Sequence, residues 1–527
     1  ALCLKKEQFS QFGMVKFGKQ IKRLADQEYV NHYIAYDVLK KALGVLVEQE
    51  KGRETGASDV AEVQQTFGEM STGISCQSSH SRFSQLLQHE LTKVNRFFAL
   101  KLRTLLDKFK GAQRALNGYS SGHGQDEDPL STAERFLEEA AEELVTLENF
   151  RRMNFAGFRK IAKKFDKTLS PESPQASLQW FFLPSLYREF FVSTSLNPQI
   201  LSIAMGYAAI RRFRRGGAQA PQGAAPTSTA RSTTTFWVMP AARLRSLFTL
   251  IKRFELVIPP SVNSSGTDLG SMNGQALTAE LSKLIHAMGS EGLGQIPVEL
   301  TLETTKVYLD LPSKGFPAYR QRLQMSQDSG TFHLRRTGPG VGMDVVEKDA
   351  ALSALGVHAF TPLQEIKSPE AFPLTDTDGS EAAKLKAAAE AAQTSAQSGA
   401  LAGLGQQGTA RLVAFANEVA SSDESLQRVA TVGSSRWLLR GDTDSTQGVS
   451  IAFDEDVQIS KSPGGPAAAA DMDAIDFPYI LMEVAGVDDS SKAKWLEELQ
   501  GEAALRCVPD FSIGAHAVAA LNKDLVG

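Results

Sequence analysis

A cluster of lysines on one short segment is the feature of this sequence that most clearly suggests chemistry. The segment 154–167 reads NFAGFRKIAKKFDK. On a helix, its apolar residues fall on one side and its lysines on the other. Like charges three and four residues apart destabilise a helix by about 0.2–0.5 kcal/mol per pair, so the stripe is unfavourable unless an anion lies against it. A solvated helix face and an anion-binding site are both open explanations for Lys160, Lys163, Lys164 and Lys167.

The overall composition limits what this stripe could serve. The 527 residues carry a formal net charge of −4, with 42% hydrophobic and 22% charged residues, which are ordinary globular values. Bulk electrostatics therefore argue against a nucleic-acid partner, and any anion site has to be a local patch. The three cysteines lie far apart, which argues against a disulfide framework or a zinc site and fits a reducing compartment. No stretch approaches the roughly 20 apolar residues that span a bilayer.

The first 210 residues have the periodicity of long helices. An apolar seam that steps by threes and fours predicts a helix over about 81–110. A second long helix is predicted from about Thr132 into the lysine segment, and the Gly-, Ser- and Gln-rich stretch 51–79 is typical of a loop. These patterns predict an all-α unit of antiparallel helices.

The character of the chain changes after this helical part. Residues 211–234 begin RRFRRGG and continue in Ala, Pro, Gln, Ser and Thr, which is typical of a linker. Strand-like runs separated by long loops then fill much of the chain, and they predict an α+β unit with an antiparallel sheet. The runs are 298–302, 306–311, 330–334, 357–360, 449–457 and 479–484.

Four segments of the helical part follow a known order of motifs. They are MVKFGKQIKRL from Met14, HYIAYDVLKK from His32, HELTKVNRFFALK from His89, and the lysine segment itself. In this order they resemble the SPX domain, and the resemblance covers 14–210. It implies a helical hairpin or bundle, and it leaves residues 1–13 as an upstream extension.

The SPX resemblance implies a binding site for inositol polyphosphates or pyrophosphates. Carried over by position, Tyr36 and Lys40 join the four lysines to line a basic pocket. Lysines act on a dense anionic ligand as point charges, and a tyrosine hydroxyl can donate one fixed hydrogen bond. With this resemblance, the binding interpretation outweighs a solvated face for Tyr36, Lys40, Lys160, Lys163, Lys164 and Lys167.

A second series of nine short segments runs through the rest of the chain. It starts with FWV at Phe236, includes KVYLD at Lys306 and SSRWLLRGD at Ser434, and ends with VPDFSIGAH at Val508. The region 235–527 thereby resembles the polyphosphate polymerase domain of the vacuolar transporter chaperone (VTC) family, a relative of the triphosphate tunnel enzymes. The resemblance implies an antiparallel β tunnel barrel.

The VTC resemblance also implies a chemistry. That family transfers a phosphoryl group from a nucleoside triphosphate to a polyphosphate chain in a tunnel lined by Lys and Arg, with a carboxylate-held divalent metal. Such catalysis consists largely of positioning and charge neutralisation. Carried over by position, the remaining tunnel cations are Arg335, Lys367 and Arg436. Glu483 would be the ligand of Mn²⁺ or Mg²⁺.

Most of the tunnel cations of that family are missing from this sequence. Each charge-assisted contact is worth about 1.5–3 kcal/mol, so their loss is expected to weaken catalysis severely. The cations that remain could form ordinary ion pairs or retain weak ligand binding, and both interpretations are open. The residues that depart from the family pattern are Thr235, His333, Ser450, Ala485, Asp510 and Ile513.

The leading hypothesis is an inositol-phosphate-sensing regulatory subunit of a VTC-type complex, with an inactive tunnel domain. The alternatives are an active polyphosphate polymerase and an SPX interaction protein with a relic second domain. Expected partners are inositol polyphosphates, other VTC-type subunits, and polyphosphate or a nucleotide, but no nucleic acid. The expected location is the cytoplasm, on the cytosolic face of vacuole-type or acidocalcisome-type membranes. Contact with the membrane is expected only through partners or through a region beyond Gly527.

Overall fold

The computed structural model of this chain describes a series of helices followed by the strands of one sheet and a few further helices. Residues 1–13, the predicted upstream extension, and Lys367 lie outside the described residues. The described ranges are 17–24, 27–52, 57–67, 79–121, 128–169, 177–216, 233–258, 269–290, 296–310, 331–337, 343–348, 360–362, 427–443, 446, 449–461, 474–485, 495–497, 505–508 and 511–522.

The chain divides into two compact units. The first comprises Ala1–Gly206 and Ala279–Pro297, and the second comprises Tyr207–Thr278 and Val298–Gly527. The predicted limits, 14–210 and 235–527, placed residues 279–297 with the sheet. In the structure, this stretch belongs to the helical unit instead.

The first unit is built from helices, as the sequence predicts. The longest two were predicted to begin near residues 81 and 132, and both are longer than the apolar seams alone indicated. The helices are α1 (Phe17–Leu24), α2 (Tyr36–Glu50), α3 (Ala57–Phe67), α4 (Ser79–Ser120), α5 (Pro129–Leu169), α6 (Leu178–Leu186), α7 (Phe190–Ser193) and α8 (Asn197–Arg214), with a 3₁₀ turn at Val30–His32.

The helices α4 and α5 pack against each other in opposite directions. Phe83, near the start of α4, stacks on Phe165, near the end of α5, with ring centroids 4.9 Å apart. Further along α4, Phe97 packs on Phe150 at 5.2 Å. All four rings are buried. The burial of apolar surface along this seam is the main force that holds the two helices together.

The helix α3 lies within the stretch that the sequence predicted to be a loop. Composition alone favoured a loop, but ion pairs attach α3 to its neighbour α2. Lys41 of α2 lies 2.5 Å from a carboxylate oxygen of Glu62 and 3.7 Å from one of Asp59. Val63 is buried and adds an apolar contact. The helix has only eleven residues, so its apolar periodicity is too short to predict a helix.

The helix α8 ends at Arg214 and so includes the first residues of the predicted linker. Arg211 and Arg212 are buried rather than exposed, because both donate to the carboxylate of Asp442 at 2.9 Å. Arg212 also lies 2.8 Å from Glu255, a distance typical of a charge-assisted hydrogen bond. A run of arginines in a polar sequence is usually solvated, and only the tertiary placement of these two acids overturns that expectation.

The second unit is built around one antiparallel sheet. Its strands are β1 (Thr233–Val238), β2 (Phe254–Val257), β3 (Leu302–Asp310), β4 (Thr331–Thr337), β5 (Met343–Lys348), β6 (Phe360–Pro362), β7 (Gln427–Gly441), β8 (Ser450–Ser460), β9 (Ile475–Asp476), β10 (Ile480–Ala485) and β11 (Leu505–Cys507). The order is β11-β1-β10-β8-β7-β3-β4-β5-β6, with β2 paired to β7 and β9 paired to β8. The sheet is antiparallel, as predicted. Among the described strands, β11 and β6 are the two ends of the sheet and do not pair with each other, so its closure into a tunnel stays a prediction.

Further helices complete the chain. They are α9 (Arg243–Ile251), α10 (Gly274–Ser290) and α11 (Ile513–Leu521), with 3₁₀ turns at Pro240–Ala242 and Leu269–Ser271. The helix α11 contributes Ile513, Ala517 and Val518 to an apolar cluster with strand residues such as Trp237 and Leu481. No helix in the described part of the chain is long and apolar enough to cross a membrane.

The buried ion pairs around Asp442 give a prediction about stability. Changing Asp442 to Ala removes the acid shared by Arg211 and Arg212 and leaves buried cations without compensation, which typically costs about 3–5 kcal/mol. We expect urea unfolding, followed through tryptophan fluorescence, to show a loss of that size. The matched change Asp476→Ala, at an exposed acid on β9, should cost little. Equal midpoints for the two variants would show that the buried pairs do not support the fold.

Candidate functional site

The lysine segment forms the second half of α5. Phe158, Ile161, Ala162 and Phe165 are buried, so the apolar stripe predicted from the sequence faces the helical core. On the other side, Lys160, Lys163 and Lys167 are exposed and Lys164 is partly exposed.

Two side chains of the long helices hold the start of α2. The Ile34 amide donates to Asn154 Oδ1 of α5 at 2.7 Å, and the Ala35 amide donates to Glu90 Oε2 of α4 at 2.6 Å. Asn154 also donates through Nδ2 to the Phe150 carbonyl at 2.8 Å, which fixes the orientation of its amide. Ala35 is the residue before the helix and has no side chain able to cap it. Two side chains that are distant in the sequence therefore accept hydrogen bonds from backbone amides that no local side chain caps.

The ring of Phe17 on α1 connects the two halves of the predicted pocket. It packs edge-on against Tyr36 with centroids 5.0 Å apart, and Lys160 Nζ lies 4.2 Å from its centroid. A Cβ on Gly157 would lie 2.6 Å from Ile34 Cγ2, so glycine permits the close approach of α5 to this segment. The structure thus brings Tyr36 and Lys160, which are 124 positions apart in the sequence, against the same ring.

The remaining predicted residues extend from this point along two helices. Lys40 is exposed and follows Tyr36 by one helical turn on α2, which places both on the same side of that helix. Lys163, Lys164 and Lys167 follow Lys160 by one to two turns on α5. Burial, with a contribution from Asp37, raises the pKa of the Tyr36 hydroxyl, so this hydroxyl remains a hydrogen-bond donor at neutral pH.

The lysines of the site differ from four other lysines of the unit in having no ion pair among the described residues. Lys41, Lys93, Lys101 and Lys108 each lie within 4.0 Å of a carboxylate oxygen. By contrast, none of the site lysines forms an ion pair with an acid in the described ranges; they are Lys40, Lys160, Lys163, Lys164 and Lys167. An anion bound here would find positive charge that is not already held in an ion pair with a described carboxylate.

The second unit carries a charged cluster on its sheet, with Arg436 at its centre. Cross-strand pairing places Arg436 of β7 directly opposite Asp454 of β8. The two side chains form a bidentate pair, with Nε–Oδ1 at 2.6 Å and Nη2–Oδ2 at 2.5 Å. Arg436 Nη2 also lies 3.5 Å from Glu483, and Lys306 Nζ lies 3.7 Å from Asp454 Oδ2. Two cations thus meet two carboxylates, and the four charges balance.

The electrostatics of this cluster favour the internal pair. Burial lowers the pKa of Arg436, but the carboxylates of Asp454 and Glu483 more than offset that effect, and the net shift is upward. Arg436 is therefore fully charged and already engaged. An incoming polyanion would have to compete with Asp454 for the same guanidinium group.

The predicted tunnel residues are described by the structure to different extents. The backbone of Arg335 lies opposite Lys306 in the β3–β4 pairing, while its side chain lies outside the description. Glu483 lies beside Arg436, and no group of three His, Cys, Asp or Glu side chains suited to a metal occurs among the residues described. Sequence reasoning missed Asp454 and the role of Lys306, because only the cross-strand register shows that they share a cluster with Arg436.

Two of the departures from the VTC pattern have a clear structural setting. Thr235 is buried opposite Glu483, and its carbonyl accepts a hydrogen bond from the Val508 amide at 3.0 Å. Ile513 is buried in the apolar cluster of α11. These positions are integrated into the core without a cation. The Asp510 position lies outside the described residues.

Comparison with known proteins gives partial matches. No family model matches the sequence. A segment of 96 residues is 36% identical to vacuolar transporter chaperone complex subunit 2 of Toxoplasma gondii, covering 18% of this chain and 7% of that protein. The subunit of the same name from Saccharomyces cerevisiae is 25% identical over 281 residues, which cover 50% of this chain and 32% of the relative. The chain therefore spans at most about a third of these two curated relatives.

Relatives of the first unit alone are found as well. SPX domain-containing protein 1 of Arabidopsis thaliana is 29% identical over 159 residues, covering 29% of this chain and 56% of that protein. A solved structure of the SPX domain of Chaetomium thermophilum glycerophosphodiester phosphodiesterase 1 with inositol hexakisphosphate matches 34% of this chain and 88% of that chain. Its identity is 23% and its TM-score is 0.22, too low to support a conclusion. The sequence similarity to both kinds of relative, in a helical unit followed by an antiparallel sheet, shows that this chain has an SPX-plus-VTC-type architecture.

Proposed function

We propose that the first unit binds an inositol polyphosphate or pyrophosphate and thereby senses phosphate status. The observation that carries this proposal is the group of lysines without acidic partners among the described residues. Tyr36 contacts the same Phe17 ring as Lys160 and begins the helix whose start is held by Asn154 and Glu90. The similarity to SPX domain-containing proteins supports the same function.

The physical basis is the match between a dense polyanion and a preorganised cationic surface. Ammonium groups have three donors each and adapt to phosphates of varied geometry. The helices α2 and α5 are fixed in the free protein, so binding requires ordering of side chains but not of backbone. The repulsion among the lysines is relieved when the ligand binds, which adds to the affinity.

The second unit would serve as a non-catalytic part of a VTC-type complex. Phosphoryl transfer needs cations directed at the transferred group, and Arg436 and Lys306 are instead paired with Asp454. The described residues also do not fit a divalent metal, because Glu483 faces a guanidinium group and Asp454 is occupied by two cations. In this proposal, the unit is a scaffold or a weak polyphosphate binder that contacts other subunits at the cytosolic face of a vacuole-type membrane.

A matched pair of neighbouring lysines tests the sensing proposal. Lys40 has no acidic partner in the described ranges, whereas Lys41 pairs with Glu62 and Asp59. We expect Lys40→Ala to weaken the binding of inositol hexakisphosphate about tenfold or more, since a charge-assisted contact is worth about 1.5–3 kcal/mol. Lys41→Ala should leave the affinity nearly unchanged. Isothermal titration calorimetry gives both values, and the double variant Lys163→Ala/Lys164→Ala should lose more than either. Unchanged affinity in the double variant would refute the site.

An activity measurement tests the non-catalytic role of the second unit. We expect the full chain, given ATP and Mn²⁺, to form no polyphosphate detectable on a gel, with or without inositol hexakisphosphate. Polyphosphate immobilised on beads should retain the protein weakly if the unit is a scaffold that binds the polymer. Robust chain synthesis would contradict the regulatory role and establish the active-polymerase alternative.

A further inference from the structure

The helix α6 presents large aromatic side chains to solvent. Trp180 and Phe181 are each 67% exposed, and Tyr187, just after the helix, is 54% exposed. They are the most exposed aromatic side chains of the described chain. Exposed aromatic clusters on a folded surface usually mark a contact with another molecule.

The exposure of these rings does not come from a frayed helix. Leu178, Phe182 and Leu186 on the opposite side of α6 are buried, so the helix is packed against the unit. Asp166 of α5 holds its first turn, accepting hydrogen bonds from Ser177 Oγ at 2.6 Å, the Leu178 amide at 2.6 Å and both nitrogens of Gln179 at 2.8 and 3.1 Å. The aromatic side chains are therefore displayed from a rigid platform.

Basic side chains of α5 lie near the residue that anchors this platform. Lys163 and Lys167 are exposed and flank Asp166, the residue on which α6 is anchored. Arg159 lies over the Phe155 ring at 5.6 Å, and that ring packs against Tyr187 at 5.3 Å. The sequence of α6 itself, LQWFFLPSL, contains no acid. We refer to the exposed aromatic and basic side chains of this region together as the aromatic–basic surface, and they are Arg159, Lys163, Lys167, Trp180, Phe181 and Tyr187.

We propose that the aromatic–basic surface docks on a membrane that contains anionic phospholipids. Tryptophan and tyrosine favour the interface between headgroups and acyl chains, where the ring is apolar on one side and hydrated on the other. Each Lys or Arg near an anionic membrane strengthens the attraction, and the surface carries three of them. Charge complementarity favours an anionic bilayer over a neutral one. Because Lys163 and Lys167 are shared with the proposed ligand site, free inositol polyphosphate should compete with the membrane.

Vesicle flotation with the full chain tests this docking. We expect binding to phosphatidylcholine vesicles that contain phosphatidylserine, little binding to pure phosphatidylcholine, and release by salt because the charges are exposed. The variant Trp180→Ala/Phe181→Ala should lose binding at least tenfold. Leu100→Ala, at an apolar residue of α4 that is 57% exposed, should bind as the unchanged protein does. Failure of the unchanged protein to bind anionic vesicles, or equal binding by both variants, would overturn the proposal.

Tryptophan fluorescence gives a second measurement. Of the four tryptophans in the sequence, Trp237, Trp437 and Trp495 are no more than 7% exposed, so a quencher in the lipid reaches mainly Trp180. Brominated anionic lipids should quench the unchanged protein and not Trp180→Phe. Absence of quenching would overturn the proposal, as would self-association that Trp180→Ala/Phe181→Ala abolishes without lipid, since the surface would then be a protein contact. This variant should keep its affinity for inositol hexakisphosphate, so failure of docking and failure of sensing are distinguishable.

Discussion

The hydrogen bond from the Ile34 amide to Asn154 fixes the geometry on which the proposed anion site depends. It joins the segment before α2 to the middle of α5, while Glu90 of α4 holds the next amide of the same segment. Asn154 is fully buried, and a buried amide that accepts and donates specifies one register between the helices. The position of Tyr36 relative to Lys160 follows from this register. Without it, the basic residues of the two helices would have no fixed relation.

The placement of carboxylates explains the different character of the two charged regions. In the first unit, acids neutralise Lys41, Lys93 and Lys101, and the lysines of the site have none among the described residues. In the second unit, Asp454 lies directly opposite Arg436 in the sheet, so the guanidinium group is satisfied within the protein. Cation content alone does not distinguish a binding surface from a structural one. The distinction lies in whether the positive charge is already compensated.

The helical unit could be predicted well because its signals are local. The apolar and basic sides of α5 follow from its periodicity, and both occur in the structure. The ordered motifs also indicated Tyr36, which the structure places beside Lys160 through the Phe17 ring. By contrast, Asn154 and Glu90 act on backbone amides more than 50 residues away, and no local pattern signals such a contact.

The sheet could be predicted less well for the opposite reason. The strand β7 is 15 residues long and pairs with β2, β3 and β8, yet the strand-like runs of the sequence did not include it. Its polar residues interrupt the apolar pattern because they meet charged partners from other strands. The same non-local pairing concealed the role of Asp454, which depends on the register between β7 and β8.

The buried arginines at the end of α8 also determine where the polypeptide can be divided. Tyr207–Thr278 belongs to the second unit, so the last two turns of a helix that begins in the first unit are part of the second. A fragment that begins after Arg214 would retain Asp442 at 2% exposure but lack both arginines that bind it. That carboxylate would then be a buried charge without a compensating cation, which is strongly destabilising. A fragment intended to contain the sheet unit should therefore begin upstream of the polar linker, within α8 itself.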